Sequence, residues 1–321
     1  MEKTNVNSEA SAILSPRLQV SKSPHLKDKE STTTVMLDVI IALLPALIGS
    51  VYFFKMKALI LIAISVVSCV GFELLSQKIM KKPVRISDLS AVVTGLLLAF
   101  NLPASSPIWL PVFGAFFAIV IIKEVFGGIG NNFINPALGA RAILMASWGA
   151  EMTNYINPDG MSTATPLQII KSGSASLPSL QRMAIGDVAG VLGETSAVLL
   201  ILGGIYLLVR KVINWRIPAI YIGSTAIMLV ALGIDFSLLP AELLSGGLML
   251  GAFFMATDYV TCPVTNKGKV VFALGCGIIT AIIRVLGNMP EGVSYAILIM
   301  NTSTPLIDKF TKTKLFGEVK N

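Results

Sequence analysis

Apolar residues run in long blocks along this chain, separated by short stretches rich in Lys, Arg, Gly and Pro. A membrane-crossing helix needs about 20 mostly apolar residues in succession. Ten blocks approach that length: 36–54, 58–75, 88–101, 108–122, 133–149, 187–209, 217–234, 239–256, 269–287 and 292–308. The third and fifth are short, which predicts half-helices or tilted crossings there. The expected fold is an all-α polytopic membrane protein of about ten transmembrane helices. Residues 1–34 are polar and precede the first block, so no cleavable signal peptide is expected.

The basic residues orient these blocks. Cytoplasmic loops of membrane proteins carry an excess of Lys and Arg. With the N-terminus inside, 19 of the 25 basic residues fall in inner segments. Only Lys55, Lys57, Lys171 and Arg182 fall in outer ones, while Arg141 and Arg284 lie within blocks. Both termini are therefore expected in the cytoplasm, and the longest loop, 150–186, on the outer face of the cell membrane.

Composition supports the same class. The 321 residues are 54% hydrophobic and 13% charged, against roughly 25% charged in soluble domains. Mean hydropathy is +0.77. The net charge of +7 reflects loop placement and does not indicate nucleic acid. Cys69, Cys262 and Cys276 are too few and too scattered to hold an iron–sulfur cluster alone. The single histidine, His25, excludes a multi-histidine metal or haem site within the chain.

A short internal similarity suggests two halves. Gly95-Leu-Leu-Leu-Ala-Phe-Asn resembles Gly247-Leu-Met-Leu-Gly-Ala-Phe, and Val125-Phe-Gly-Gly resembles Val285-Leu-Gly-Asn. Five crossings is an odd number, so the second half would be inverted relative to the first. The organisation expected is a cytoplasmic segment 1–34, a first five-helix repeat 35–149, the outer loop 150–186, a second repeat 187–310 and a tail 311–321. Inverted repeats place binding sites where interrupted helices meet. Chance likeness between Gly/Leu-rich helices is the alternative.

Several polar residues stand out against this background. Gly127-Gly-Ile-Gly130 has no βαβ context, so it is no dinucleotide fingerprint. It reads either as a tight turn or as a broken helix whose Asn131, Asn132 and Asn135 present amides to a flavin or an ion. Arg141 either snorkels to the interface or meets a flavin phosphate or a carboxylate on another helix. Arg284 is expected to snorkel outward. Asp258, near Thr257 and Thr261, is either a solvated helix end or a ligand for Na⁺ or a flavin edge. Lys123 and Glu124, at a loop boundary, suggest no special role.

The outer loop carries Asp159-Gly160-Met161-Ser162-Thr163-Ala164-Thr165. Pro158-Asp159-Gly160 is a turn signal, and hydroxyl runs in loops are often only solvated turns. This stretch nevertheless resembles the flavinylation motif Asp-Gly-x-Ser/Thr-Gly/Ser-Ala-Thr, whose last threonine is esterified to the phosphate of FMN by a flavin transferase. Thr165 is the matching residue, and Thr163 departs from the usual Ser or Gly. Ser23-Pro-His-Leu, Thr34-Val-Met-Leu-Asp38, Gly127–Ala137, Ala256–Thr265 and Pro290–Asn301 add to the likeness. Together, over about residues 20–317, they resemble the D-type membrane component of the Rnf complex, the ion-translocating ferredoxin:NAD oxidoreductase. The B-type component of the sodium-pumping NADH:quinone reductase is a relative. Tyr259 and Cys262 depart from the usual proline and serine.

The resemblance implies a subunit that carries FMN at Thr165 and relays electrons in a complex coupled to Na⁺ or H⁺ transport. It would hold no complete active site alone. It implies as partners a ferredoxin/NAD module, iron–sulfur membrane subunits and a second flavoprotein. It also allows a non-covalent flavin such as riboflavin, whose site no residue identifies. Two other readings stay open: a secondary transporter or channel for a small polar solute, and a structural anchor with unmodified Thr165. Ten crossings in two halves fit these equally, since fold does not fix function.

Overall fold

A computed structural model describes residues 31–173, 177–194, 196–287 and 291–312. Most of the polar N-terminal segment, His25 and Ser23-Pro-His-Leu included, and most of the tail lie outside the described residues. The described residues from Thr32 on form one compact unit. Among the described residues the structure is helical, with only isolated bridges at Pro103–Val191 and Ile156–Ser162.

The first two apolar blocks form α1 (Thr32–Ile79), broken at Lys55, where φ is 54° and ψ −137°. The sequence places its first inter-block turn there. A 3₁₀ turn (Ile86–Asp88) leads through left-handed Leu89 into α2 (Ser90–Phe100). α3 (Trp109–Ala115) continues as a π-helix (Phe116–Glu124). α4 (Pro136–Ser147) starts with proline at its first turn, where a missing N–H is harmless. Short helices α5 (Gly149–Thr153), α6 (Pro166–Ser172) and α7 (Leu180–Ile185) occupy the long loop.

The second half differs more from expectation. The sixth block yields only α8 (Ala197–Val209). Residues 187–194 form an irregular stretch with a 3₁₀ turn (Leu192–Glu194), and Ser196 caps α8 by accepting from Leu199 N at 3.3 Å. α9 (Arg216–Ala231) follows the seventh block. The eighth is interrupted: α10 (Leu239–Leu244) ends at Ser245, and α11 (Leu248–Leu250) runs into a second π-helix (Gly251–Met255). Gly246 and Gly247, at φ 62° and 47°, supply the left-handed backbone that the break requires. α12 (Asn266–Leu286) and α13 (Val293–Thr311) are the last of the described helices.

Among the described helices, α1 and α12 are long and apolar enough to cross a membrane by length and composition. α2, α8 and α9 are apolar but shorter. Large apolar side chains on the outside, such as Ile48, Val67, Leu202, Ile227 and Val271, form an extensive apolar surface.

Hydrogen bonds and ion pairs near the helix ends fall into two separate sets. One joins residues 50, 102–105, 154–155, 171, 191–192, 242–246, 284–287 and 291. The other joins 33–38, 77–90, 124, 206–212, 259–265 and 308–311. Small residues let the helices approach closely, as in membrane bundles. A Cβ at Gly277 on α12 would overlap Ser224 Oγ on α9 and lie 2.8 Å from Thr225 N.

This crossing gives a direct test. Gly277→Leu should destabilise the purified protein by about 1–3 kcal/mol through overpacking. Gly223→Ala, with nothing within 4 Å of the added carbon, should be neutral or stabilise by up to ~1 kcal/mol. Equal melting temperatures for Gly277→Leu and the parent would show that α9 and α12 do not pack this way.

Candidate functional site

The Asp159–Thr165 stretch is a compact turn on the long loop. Gly160 sits at φ 85°, its N–H donating to Asn157 O at 2.8 Å, and Asn157 N donates to Met161 O at 2.8 Å. Ser162 Oγ lies 3.1 Å from Asn154 Oδ1. Asp159, Gly160, Ser162, Thr163 and Ala164 are exposed. Thr165 is not: it is 5% exposed and caps α6. Its Oγ1 accepts from Gln168 N at 3.3 Å, and Gln168 Oε1 accepts from Thr165 N at 2.9 Å. Sequence spacing marks Thr165, and Thr165-Pro-Leu-Gln168 also has the Thr-x-x-Gln spacing of a capping box with proline at the first helical position, a signal the sequence reading missed.

Arg141 is buried, and the structure resolves its alternatives: it meets a carboxylate on another element and does not snorkel. Its guanidinium pairs with Glu291, ahead of α13, and donates to Ser294 Oγ at 2.8 Å and Asn101 Oδ1 at 3.0 Å. Tyr155, just before the motif, places its phenol 3.3 Å from Glu291 Oε1. Burial, and next the Glu291 carboxylate, hold the Tyr155 phenol above its ordinary range, so it stays protonated. The motif loop, α2, α4 and α13 therefore meet at one ion pair.

Arg284 corrects its sequence expectation. It is 4% exposed and turned inward. It donates to Glu242 Oε2 at 3.1 Å, to Ser245 O at 3.1 Å and to Gly246 O at 3.0 Å. These carbonyls are freed by the break between α10 and α11, and unpaired backbone groups are costly in an apolar setting. A guanidinium bonds several at once, which makes arginine apt here.

At the other end, the glycine run forms turns, with Gly127, Gly128 and Gly130 at positive φ. Asn135 caps α4, accepting from Ala137 N at 3.1 Å and donating from its amide to Met255 O at 3.3 Å. Its polar atoms tie α4 to the second π-helix. A cleft with about 820 Å³ of atom-free space, part of it open, is lined by Thr94, Asn132, Asn135, Phe254, Thr257 and Asp258 among others. Asp258 accepts from Thr261 Oγ1 at 3.1 Å, whereas Thr257 Oγ1 donates to Phe253 O at 2.7 Å. The two threonines thus do not both flank the carboxylate. Burial pushes the Asp258 carboxyl up, and the Thr261 hydrogen bond opposes this.

Lys123 and Glu124 also depart from expectation, being 3% and 1% exposed. Lys123 Nζ donates to Glu73 Oε1 at 2.8 Å and Ser90 Oγ at 2.7 Å, and Gln77 Nε2 bridges Glu73 and Glu124 at 3.2 and 3.3 Å. Glu73 sits in an apolar block and the sequence reading missed it. A lone carboxylate in such a block was the available signal.

Comparison with known proteins places these residues in context. Residues 19–317 match the model of the NQR2, RnfD, RnfE family. The chain is 52% identical over 310 residues to the D-type component of the Na(+)-translocating ferredoxin:NAD(+) oxidoreductase complex of Acetobacterium woodii, covering 94% of this chain and 96% of that one. It is 42% identical to the D-type component of the proton-translocating ferredoxin:NAD(+) oxidoreductase complex of Clostridium ljungdahlii, with 93% and 96% covered. It is 34% identical to the D-type component of the ion-translocating oxidoreductase complex of Aliivibrio salmonicida, with 94% and 99% covered.

The Lys123–Glu73 pair has a measurable consequence. Removing one partner of a buried pair costs about 3–5 kcal/mol, while replacing both with apolar residues is often close to neutral. Glu73→Leu alone should sharply lower the melting temperature, and Glu73→Leu with Lys123→Met should recover most of the loss. Additive losses in the double variant would refute direct pairing.

Proposed function

The chain belongs to the NQR2, RnfD, RnfE family, and on that premise we propose that it is the D-type membrane component of an ion-translocating ferredoxin:NAD oxidoreductase complex. It carries FMN on Thr165 and relays electrons whose transfer is coupled to Na⁺ or H⁺ transport. One observation carries this reading: the Asp159–Thr165 motif stands, in an otherwise exposed turn, within a chain that matches such subunits along nearly its whole length.

The residues present suit the group. Thr165 offers a hydroxyl at the end of an ordered turn; a flavin transferase using a flavin dinucleotide as donor would form the Oγ1–P bond to FMN, break the donor's pyrophosphate bond, and release the nucleoside monophosphate and the hydroxyl proton. Because that oxygen is buried under Gln168, attachment requires the cap to open or precedes its closure. Exposed Ser162 and Thr163 are the competing hydroxyls. When bound, the flavin supplies one-electron chemistry, and the protein supplies position and electrostatics. The inner cleft, apolar with the Asn132 amide and the Asp258 carboxylate in its lining, suits a second, non-covalent flavin such as riboflavin. Asp258 is also the candidate ion ligand.

The ten-crossing arrangement in two inverted halves belongs to this reading. Two features support it. The helix-end contacts segregate into the two sets that alternating crossings require, with 154–155 and 171 in the outer set. Each half also starts a core helix after a left-handed residue, Leu89 or Gly247. Both termini are then cytoplasmic and the apolar exterior faces lipid. The partners are a ferredoxin/NAD module, iron–sulfur membrane subunits, a second flavoprotein at the outer face and a flavin transferase for maturation.

Peptide mass spectrometry of chain co-expressed with a flavin transferase should find one FMN adduct between residues 162 and 165. Thr165→Val should abolish it. An adduct that persists in Thr165→Val and disappears in Thr163→Val would move the attachment to Thr163.

A further inference from the structure

An open cleft of about 620 Å³ lies where α8 ends and α12 begins. Its lining includes Leu208, Val209, Lys211, Trp215, Tyr259 and Lys269, and no carboxylate. The walls are fixed by hydrogen bonds. Lys211, at φ 58°, ends α8 in a turn where its N–H donates to Leu208 O at 3.0 Å and Val212 N donates to Leu207 O at 2.9 Å. The Tyr259 hydroxyl donates to Val212 O and ties the facing wall to that turn. Val209, Trp215 and Tyr259 are exposed, which gives the cleft an apolar and aromatic rim. Among the described residues neither the Lys211 nor the Lys269 ammonium takes part in an ion pair or a side-chain hydrogen bond, whereas the neighbouring Arg210 pairs with Asp38. Lys269 closes the first turn of α12, which holds no acidic residue. A cation there opposes the helix dipole unless an anion lies beside it.

We propose that this cleft binds the headgroup of an anionic phospholipid, with the phosphate held between Lys211 and Lys269 and the acyl chains running along the apolar side of α8. The inference rests on the apolar exterior facing lipid, and needs neither the flavin nor a particular sidedness. Lipid headgroups lie at the level of helix ends, where Trp and Tyr collect. Basic pockets between membrane helices at that level take anionic headgroups. Trp215 and Tyr259 supply the aromatic rings, and Leu208 with exposed Val209 leads from the cleft onto α8. The volume falls within the roughly 300–1,000 Å³ usual for small-molecule sites. A zwitterionic lipid brings an ammonium of its own, which two lysines repel, so the cleft selects for net negative charge. Lys267 is exposed and outside the lining, and serves as the comparison.

The test uses the full-length chain in lipid bilayers, with Trp109→Phe and Trp148→Phe so that Trp215 is the single tryptophan. Brominated acyl chains quench tryptophan on contact, so competition between brominated and plain lipids reads relative affinity at the cleft. Brominated phosphatidylglycerol should be preferred over brominated phosphatidylcholine by about 25-fold, a factor of about five per lysine at ~1 kcal/mol each. Lys211→Gly or Lys269→Gln should cut the preference to about fivefold, and the two together should remove it. Lys211→Gly takes away the charge at a left-handed position that glycine suits, so the turn is kept. Lys269→Arg and Lys267→Gln should each retain the full preference. Equal quenching by the two lipids in the parent, or a preference that Lys267→Gln lowers as much as Lys211→Gly does, would overturn the site and leave the lipid-facing exterior standing. Loss of the preference on adding millimolar inorganic phosphate at constant ionic strength would make the occupant a soluble anion and likewise overturn it. Absence of quenching by either lipid would overturn the lipid-facing exterior as well.

Discussion

A charge or a free carbonyl buried among apolar helices must find a partner inside the protein, and that constraint organises this structure. Three basic side chains meet it. Arg284 gathers the carbonyls released where α10 and α11 separate, together with Glu242. Arg141 ties α2, α4 and the start of α13 through Asn101, Ser294 and Glu291. Lys123 fixes α1 to α2 and the first π-helix through Glu73 and Ser90. Irregular backbone at membrane depth is tolerated where it is satisfied within protein, so these three residues permit the broken helices to exist.

The second of the broken helices in turn shapes one cleft. The second π-helix, held by the Asn135 amide at Met255 O, forms a wall of the inner cleft. The Arg141–Glu291 pair lines a second cleft, with Tyr155 and Gln168.

The positions of the helices were largely legible from apolar blocks, because burial in lipid and burial in protein select the same residues. The breaks were less so. Lys55 was visible as a charge between two blocks, whereas the break at Ser245–Gly247 lies inside a block apolar enough to look continuous, and only the paired glycines signal it. Thr165 was marked by its motif, and its capping role was legible too, in the Thr-x-x-Gln spacing that opens α6, although its burial was not. Arg141 was legible as a charge in an apolar run, but its partner Glu291 lies 150 residues on, beyond any local pattern. Arg284 was misjudged because a helix-end arginine ordinarily snorkels, and the broken helix that captures it is not adjacent in sequence.

Sidedness is the most direct test of the central claim, because the flavin's role depends on which face bears Thr165. In a background without Cys69, Cys262 and Cys276, single cysteines at Ser172 and at Lys267 would be exposed to a membrane-impermeant thiol reagent in intact cells. The account predicts prompt labelling at position 172 and labelling at position 267 only after the membrane is opened. Labelling of 267 in intact cells, with 172 protected, would contradict it.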